Sequence, residues 1–393
     1  MRQAGGLAGF SDLKRACRAR CRTRQQSKKG EITITRKQSL LGILLIIGIC
    51  AACFASACIA ASQEQPSTPA NRTIADMAGR EVVVPAEIES VLCTSPPSAM
   101  LVYMVAPEKL LGWNFAPTEV SKRYIPEPYA SLPEVGGWFG KQTGNYETFI
   151  SMHPDIVLEG FNVGGSVNDT VAERQQKMGS IPVVAVEDTV NASGYAAPIR
   201  FAGDLLGEEE HAAAMIAFYD GVLATVTERV AAIPEDERVR VYYAEGPEGL
   251  WTDPSSSQHA ELIDLCGGKN VADCVLNPGY GRTEVSMEQV LTWNPEVILV
   301  GDPVFYKSVG SDPRWQDITA VQTHRVYMIP TTAFCWFDRP PGINRIIGIP
   351  WTAKTLYPDR FEDMDLAGLV REFHEMYLHT TLSNDEIEQL LHP

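Results

Sequence analysis

The sequence predicts an α/β protein made of two similar, Rossmann-like lobes joined by a single long α-helix. Three observations predict it. Nearly the same sixteen-residue pattern occurs twice, "NYETFISMHPDIVLEG" at 145–160 and "SMEQVLTWNPEVILVG" at 286–301. From about Ile74 onward, short apolar runs alternate with helical stretches, as they do where helices cover a mostly parallel sheet. Between the two halves, Glu208 to Ile233 keeps helical apolar spacing without any strand signal.

Each repeat unit reads as helix, proline, strand. Asn145 and Ser286 suit an N-cap, and Glu147 and Glu288 fall in the first turn, where a carboxylate complements the helix dipole. Phe149-Ile150 and Val290-Leu291 supply one amphipathic turn. Pro154 and Pro295 end the helices. The runs 155–158 and 296–299 then read as short strands buried on both faces, closed by Gly160 and Gly301.

The remaining elements follow in order. "REVVVP", "SVLCTS", "KLLGWN" and "IPVVAVE" read as first-lobe strands, with helices at "PSAMLVYMVA" and "NDTVAERQQKMG". In the second lobe "VRVYYAEG" and "HRVYMIP" read as strands, and "SQHAELIDLCGG" and "INRIIGIPWTAKTLYP" as helices. The expected organisation is a leader or N-terminal anchor at 1–61 and a polar tether at 62–73. An N-terminal lobe at 74–193, a bridging helical segment at 194–235 and a C-terminal lobe with C-terminal helices at 236–393 follow. Two lobes on one helix imply limited hinge motion and a cleft lined by loops that follow strand C-termini.

The chain has 393 residues and a net charge of −16. Its start differs from the rest. Eleven basic residues between Arg2 and Lys37 face only Asp12 and Glu31, and an apolar or small-residue run follows from Leu40 to Ala57. That combination reads as an export signal. It could be retained as an anchor, cleaved after Ala55-Ser56-Ala57, or cleaved before Cys58, since "ASAC" resembles a lipobox and would make Cys58 the lipidated residue. All three outcomes leave the folded part outside the membrane, tethered in the first and last. Without the leader's +9 the remainder carries about −25 of the chain's −16 total, which excludes a nucleic-acid partner. Of the nine cysteines, Cys93, Cys266, Cys274 and Cys335 lie beyond the leader. Cys266 and Cys274 could close a small disulfide loop; otherwise all four are ordinary buried thiols.

Several loops carry residues that suit a ligand better than a core. Ser95 and Pro97 follow one expected strand, Trp113 and Phe115 another, and Asn162 the strand of the first repeat. "GGWFGKQTGNY" places Trp138, Phe139 and Lys141 among glycines. "FCWFDRPPGINRIIGIPW" offers Trp336, Phe337 and Arg339 before a helix that Asn344 could cap, with Arg345 just inside it. Arg339 or Arg345 could meet a carboxylate, catecholate or oxyanion bidentately, and Arg339 could instead pair with Asp338.

An exported, two-lobed chain with these repeats resembles the substrate-binding proteins of ABC importers that take ferric siderophores, cobalamin, haem and related metal chelates. "NYETFISMHPDIVL", "VSMEQVLTWNPEVILV", "LIDLCGGKNV" and "WTD" carry the resemblance, which spans roughly Ile74 to Pro358. It implies a helix-bridged, class III-type fold and ligand contacts from Tyr243 to Trp251 and at Tyr280 and Arg282. It also implies that Glu147 and Glu288 dock on Arg-lined pockets of a permease dimer served by a cytoplasmic ATPase. A monomer is expected, with no intrinsic cofactor and a ligand that contains a chelated metal, Fe(III) first.

Rival readings remain. The same fold could take molybdate or tungstate, with Arg339, Asn344 and Arg345 at a helix start suiting a small oxyanion; cobalamin and haem rank behind. An exported enzyme would need a site, and there is no Gly-x-Ser-x-Gly elbow and no HExxH. The seven histidines are scattered and offer no bare-metal site. A phosphate loop at 136–141 fails on spacing and lacks its Ser or Thr. A tethered sensor built on the same fold also fits.

Overall fold

The computed structural model describes residues 71–161, 167–277 and 281–392. The leader, Cys58, nearly all of the tether, Asn162 and Tyr280 lie outside the described residues. Among the described residues no helix is long and apolar enough to cross a membrane.

The first lobe opens with an antiparallel pair, β1 (Asn71–Ala75) and β2 (Glu81–Pro85), in which Ile74 faces Val82. A parallel three-stranded sheet follows in the order β3 (Val91–Cys93), β4 (Ile156–Phe161), β5 (Val183–Glu187). Helix α1 (Pro96–Val105) is buried along its whole length, as expected of a helix apolar all round. Short helices α2 (Glu127–Ala130) and α3 (Tyr146–Ser151) precede β4, and α4 (Val167–Met178) precedes β5. Helix α5 (Ala196–Leu206) ends on left-handed Gly207 and leads into the 23-residue α6 (Glu209–Ala231).

The second lobe holds β6 (Arg240–Ala244), β7 (Trp251–Thr252), α7 (Glu261–Leu265), β8 (Lys269–Asn270), β9 (Thr283–Glu284), α8 (Met287–Trp293), β10 (Val297–Val300), α9 (Pro303–Val309), α10 (Thr319–Gln322), β11 (Val326–Met328) and α11 (Arg345–Leu356). Its parallel sheet runs β11-β10-β6-β8, with β7 and β9 as a separate antiparallel pair. Helices α12 (Leu366–Tyr377) and α13 (Asn384–Leu391) close the chain.

Both repeat units fold as the pattern implies. Asn145 Oδ1 accepts from Glu147 N at 2.9 Å, and Ser286 forms a capping box with Gln289. The strands that follow are buried on both faces. Ile156 and Leu158 join the large central core while Val157 joins an outer one, and Val297 and Leu299 are likewise split from Ile298 and Val300. That period of two is what a sheet covered on both sides requires.

Two expectations need correction. "KLLGWN" is not a strand: Leu110 and Trp113 make only isolated bridges, to Val91 and Glu134. Cys266 and Cys274 are free thiols, as are Cys93 and Cys335. Cys266 packs in the central core and donates to the Ile349 carbonyl at 3.3 Å, whereas Cys274 packs in the outer core of the second lobe, so the expected loop is not closed.

The long helix is not the only tie between lobes. The Tyr103 hydroxyl on α1 donates to the Leu378 carbonyl at 2.8 Å, and the Tyr377 hydroxyl donates to the Met215 carbonyl on α6 at 2.5 Å. The chain end therefore returns to the first lobe.

Candidate ligand-binding cleft

The residues that follow β5 meet the second lobe along a seam, where the Ala192 amide donates to Glu261. The loop between β11 and α11 reaches over it. Its Phe334 packs on Tyr103 and Trp113 of the first lobe. A Cβ at Gly342 would lie 2.5 Å from Met100 Cε and 3.5 Å from Thr189 Oγ1.

On the first-lobe wall, Ser95 caps α1, and its hydroxyl donates to Asp188 Oδ1 at 2.7 Å. Burial pushes the Asp188 carboxyl up to about 7; the Ser95 hydrogen bond opposes this and the charge of Glu159 adds to it. Pro97 is buried in the first turn of α1. Trp113 is a core residue, its indole N–H donating to the Tyr129 carbonyl at 2.8 Å. Trp138 packs against Tyr146 and Phe149, with the Arg174 guanidinium 4.0 Å from its ring. Phe139 is half-buried, Lys141 is exposed, and Phe115 is 53% exposed.

The second-lobe wall is built around Arg339, whose φ of 59° turns it out of ordinary backbone geometry. Its Nε donates to Glu245 Oε1 at 2.7 Å, and Nη2 donates to Glu245 Oε2 at 2.9 Å and Asp253 Oδ2 at 2.7 Å. Asp338 Oδ2 lies 3.2 Å from Nε, so the sequence alternative of an Asp338 partner is realised as part of a larger network. Arg282 Nε donates to Glu245 at 3.2 Å, Ser257 Oγ donates to Asp253 at 2.9 Å, and His259 Nδ1 sits 2.7 Å from Asp338. Burial raises Glu245, but the hydrogen bond and charge of Arg339 outweigh it and hold the carboxyl low. Asp253 is pushed up to about 6 by burial and by the charge of Glu245. The three acids present ligating oxygens within 4.8 Å of one another, and Arg339 sits where a cation would.

The other second-lobe candidates divide. Trp251 is 40% exposed and Arg282 is exposed beside it, 6.0 Å from its ring. Tyr243, Trp336 and Phe337 are buried; Tyr243 packs on Phe337 at 4.9 Å, and the Trp336 indole N–H donates to Thr332. Arg345 is wholly enclosed: it donates to the Tyr195 hydroxyl at 2.8 Å, the Gln258 carbonyl at 2.9 Å, the Val190 carbonyl at 2.6 Å and Glu261 at 2.9 Å. It ties the lobes together beneath the cleft. Asn344 stands at the start of α11 without capping it; its amide donates to the Cys335 carbonyl instead.

Sequence reading did not single out Asp188, Thr189, Asp253 or His259 as site residues, and it reached Glu245 only as part of the stretch from Tyr243 to Trp251. A signal existed for two of them, since Asp188 and Glu245 are each the first residue past a strand, where open α/β sheets bind ligands. Glu147 and Glu288 stand exposed on α3 and α8, one per lobe.

A family profile described as periplasmic binding protein matches residues 93–333. The chain belongs to this family. It is an ABC-transporter periplasmic binding protein with the helix-bridged architecture of class III. It is 26% identical to the molybdate-binding protein MolA of Haemophilus influenzae, over 81% of this chain and 94% of that one. It is 24% identical to an uncharacterised ABC transporter substrate-binding lipoprotein of Bacillus subtilis, over 74% and 87%. Among solved structures, an ABC transporter solute-binding protein from Sulfurospirillum deleyianum is 33% identical with a TM-score of 0.75, over 81% of this binding protein and 98% of that chain. MolA bound to molybdate superposes with a TM-score of 0.63 at 23% identity, a likeness of fold.

Proposed function

We propose that this binding protein captures a metal chelate outside the membrane, Fe(III)-siderophore first, and hands it to an ABC permease. The observation that carries the ligand class is the spent state of Arg339 and Arg345. Arg345 is consumed by protein acceptors, and Arg339 is gripped by Glu245, Asp253 and Asp338. A naked oxyanion would have to displace those carboxylates, at a cost of several kcal/mol per buried charge. The exposed Trp251, Arg282 and Phe115 suit the larger organic rim of a chelate. Lys141 and Phe139 lie on the same first-lobe loop system and join the proposed contact set.

Glu147 and Glu288 are assigned to permease docking, where charge-assisted pairing would orient the complex. Lipidation at Cys58 would tether the protein at the outer surface. It acts by binding, without catalysis.

The 26% identity with MolA favours a second reading, molybdate or tungstate as cargo. Titrating residues 62–393 by intrinsic tryptophan fluorescence against ferric hydroxamates and catecholates, haem, cobalamin, molybdate and tungstate separates the two. Submicromolar binding of a ferric chelate without an oxyanion response is expected. Tight oxyanion binding alone would replace the chelate with the second reading.

A further inference from the structure

Six carboxylates are buried in the described part of the chain: Asp76, Glu159, Asp188, Glu245, Asp253 and Asp338. Five have a cation. Asp76 meets Arg80 at 2.6 Å, Glu159 meets Arg174 at 2.7 Å, and Glu245, Asp253 and Asp338 share Arg339. Asp188 has none among the described residues; its side chain accepts only from the neutral Ser95 hydroxyl. The sequence just after β4, Asn-Val-Gly-Gly-Ser at 162–166, contains no cationic residue either.

Burying a carboxylate without a counter-charge is costly, and the surroundings hold this one in place. A Cβ on Gly160 would sit 2.1 Å from Asp188 Oδ1 and 2.3 Å from Ser95 Oγ, so glycine is what lets β4 pass behind the pair. A second observation lies beside it. Thr189 Oγ1 and Asn344 Oδ1, on residues 2% and 1% exposed, have no hydrogen-bond partner among the described residues. Both lie within 3.5 Å of the Gly342 Cβ position, at the seam between lobes. The seam here offers oxygen atoms, and among the described residues no cation pairs with Asp188.

We infer that the seam at the first-lobe wall receives a positively charged group of the ligand, with Asp188 as its counter-ion and Thr189, joined by Asn344 from the second lobe, accepting its N–H or O–H donors. The opposite rim, Arg282 beside Trp251, faces the ligand's anionic or aromatic edge. The inference rests on the metal-chelate reading and narrows it to chelates carrying a cationic or ammonium face.

The test compares two ferric trihydroxamates with the same metal core, ferrioxamine B, which bears a pendant ammonium, and its N-acetyl derivative, which does not. Molybdate and a ferric triscatecholate are run alongside. Wild type and Asp188→Asn are titrated calorimetrically at pH 8, and a melting curve checks that the near-isosteric variant is folded. The expected result is at least tenfold tighter binding of the ammonium form by wild type, a preference that Asp188→Asn abolishes. Ser95→Ala, which frees the carboxylate from its support, should reduce that preference. Equal affinity for the two hydroxamates, an unchanged preference in Asp188→Asn, or no binding of the ammonium form overturns the inference while any bound chelate preserves the chelate reading. Binding of molybdate alone overturns both.

Discussion

The two walls of the cleft handle charge in opposite ways. The second-lobe wall answers its own charges: Glu245, Asp253 and Asp338 close around Arg339, with Arg282 on Glu245 and His259 on Asp338 as further partners. The first-lobe wall leaves Asp188 with only a serine hydroxyl. One wall is a finished network that would hold its shape with or without ligand, because every charge in it has a partner. The other is incomplete and gains most from what the ligand brings. In the proposed reading, the ligand supplies the counter-charge that Asp188 lacks.

The sharpest way to break the contrast is Arg339→Ala. It removes the cation that three buried acids share, and the expected loss is about 3 kcal/mol or more, read from the urea midpoint, with ligand affinity down at least tenfold. An unchanged midpoint would mean the second wall is not the stable one.

Asp188→Asn should act with the opposite sign. Burial pushes the Asp188 carboxyl up to about 7 in the folded state, against an ordinary value of 3.8. The folded state therefore holds its proton more tightly, and stability is full below the unfolded pKa and lost as pH rises through 7. The ligand-free variant should be more stable than wild type at pH 8, by up to about 4 kcal/mol, and equal to it near pH 3. Melting curves at the two pH values check this, and a destabilised variant at pH 8 would remove the idea of an uncompensated charge.

The outer faces should behave alike where the inner walls differ. Glu147→Arg with Glu288→Arg is expected to abolish uptake and leave affinity within twofold; wild-type uptake would end the docking assignment. Arg282→Ala should weaken binding about tenfold, or ~1.4 kcal/mol, without moving the melting temperature, since its side chain is half in solvent. The smallest effect expected is none: a reductant should leave the melting temperature unchanged, because no disulfide joins Cys266 to Cys274.

Much of the architecture was legible because it depends on neighbours in the chain. The caps at Asn145 and Ser286, the prolines that end α3 and α8, the doubly buried strands and the uninterrupted α6 all follow from spacings of two to four residues. The repeat itself announced two lobes. The division of labour among the cleft's residues was decided only by tertiary packing. Arg345 and Arg339 look interchangeable in "FDRPPGINR". Yet one reaches back to Val190 and Tyr195 in the first lobe and the other to Glu245 and Asp253. Trp336 and Phe337 read as cleft aromatics and are core, whereas Trp251 stays in solvent. Local pattern encodes which backbone forms. Which charges meet is determined by contacts between residues on the order of a hundred positions apart, and no local spacing carries that information.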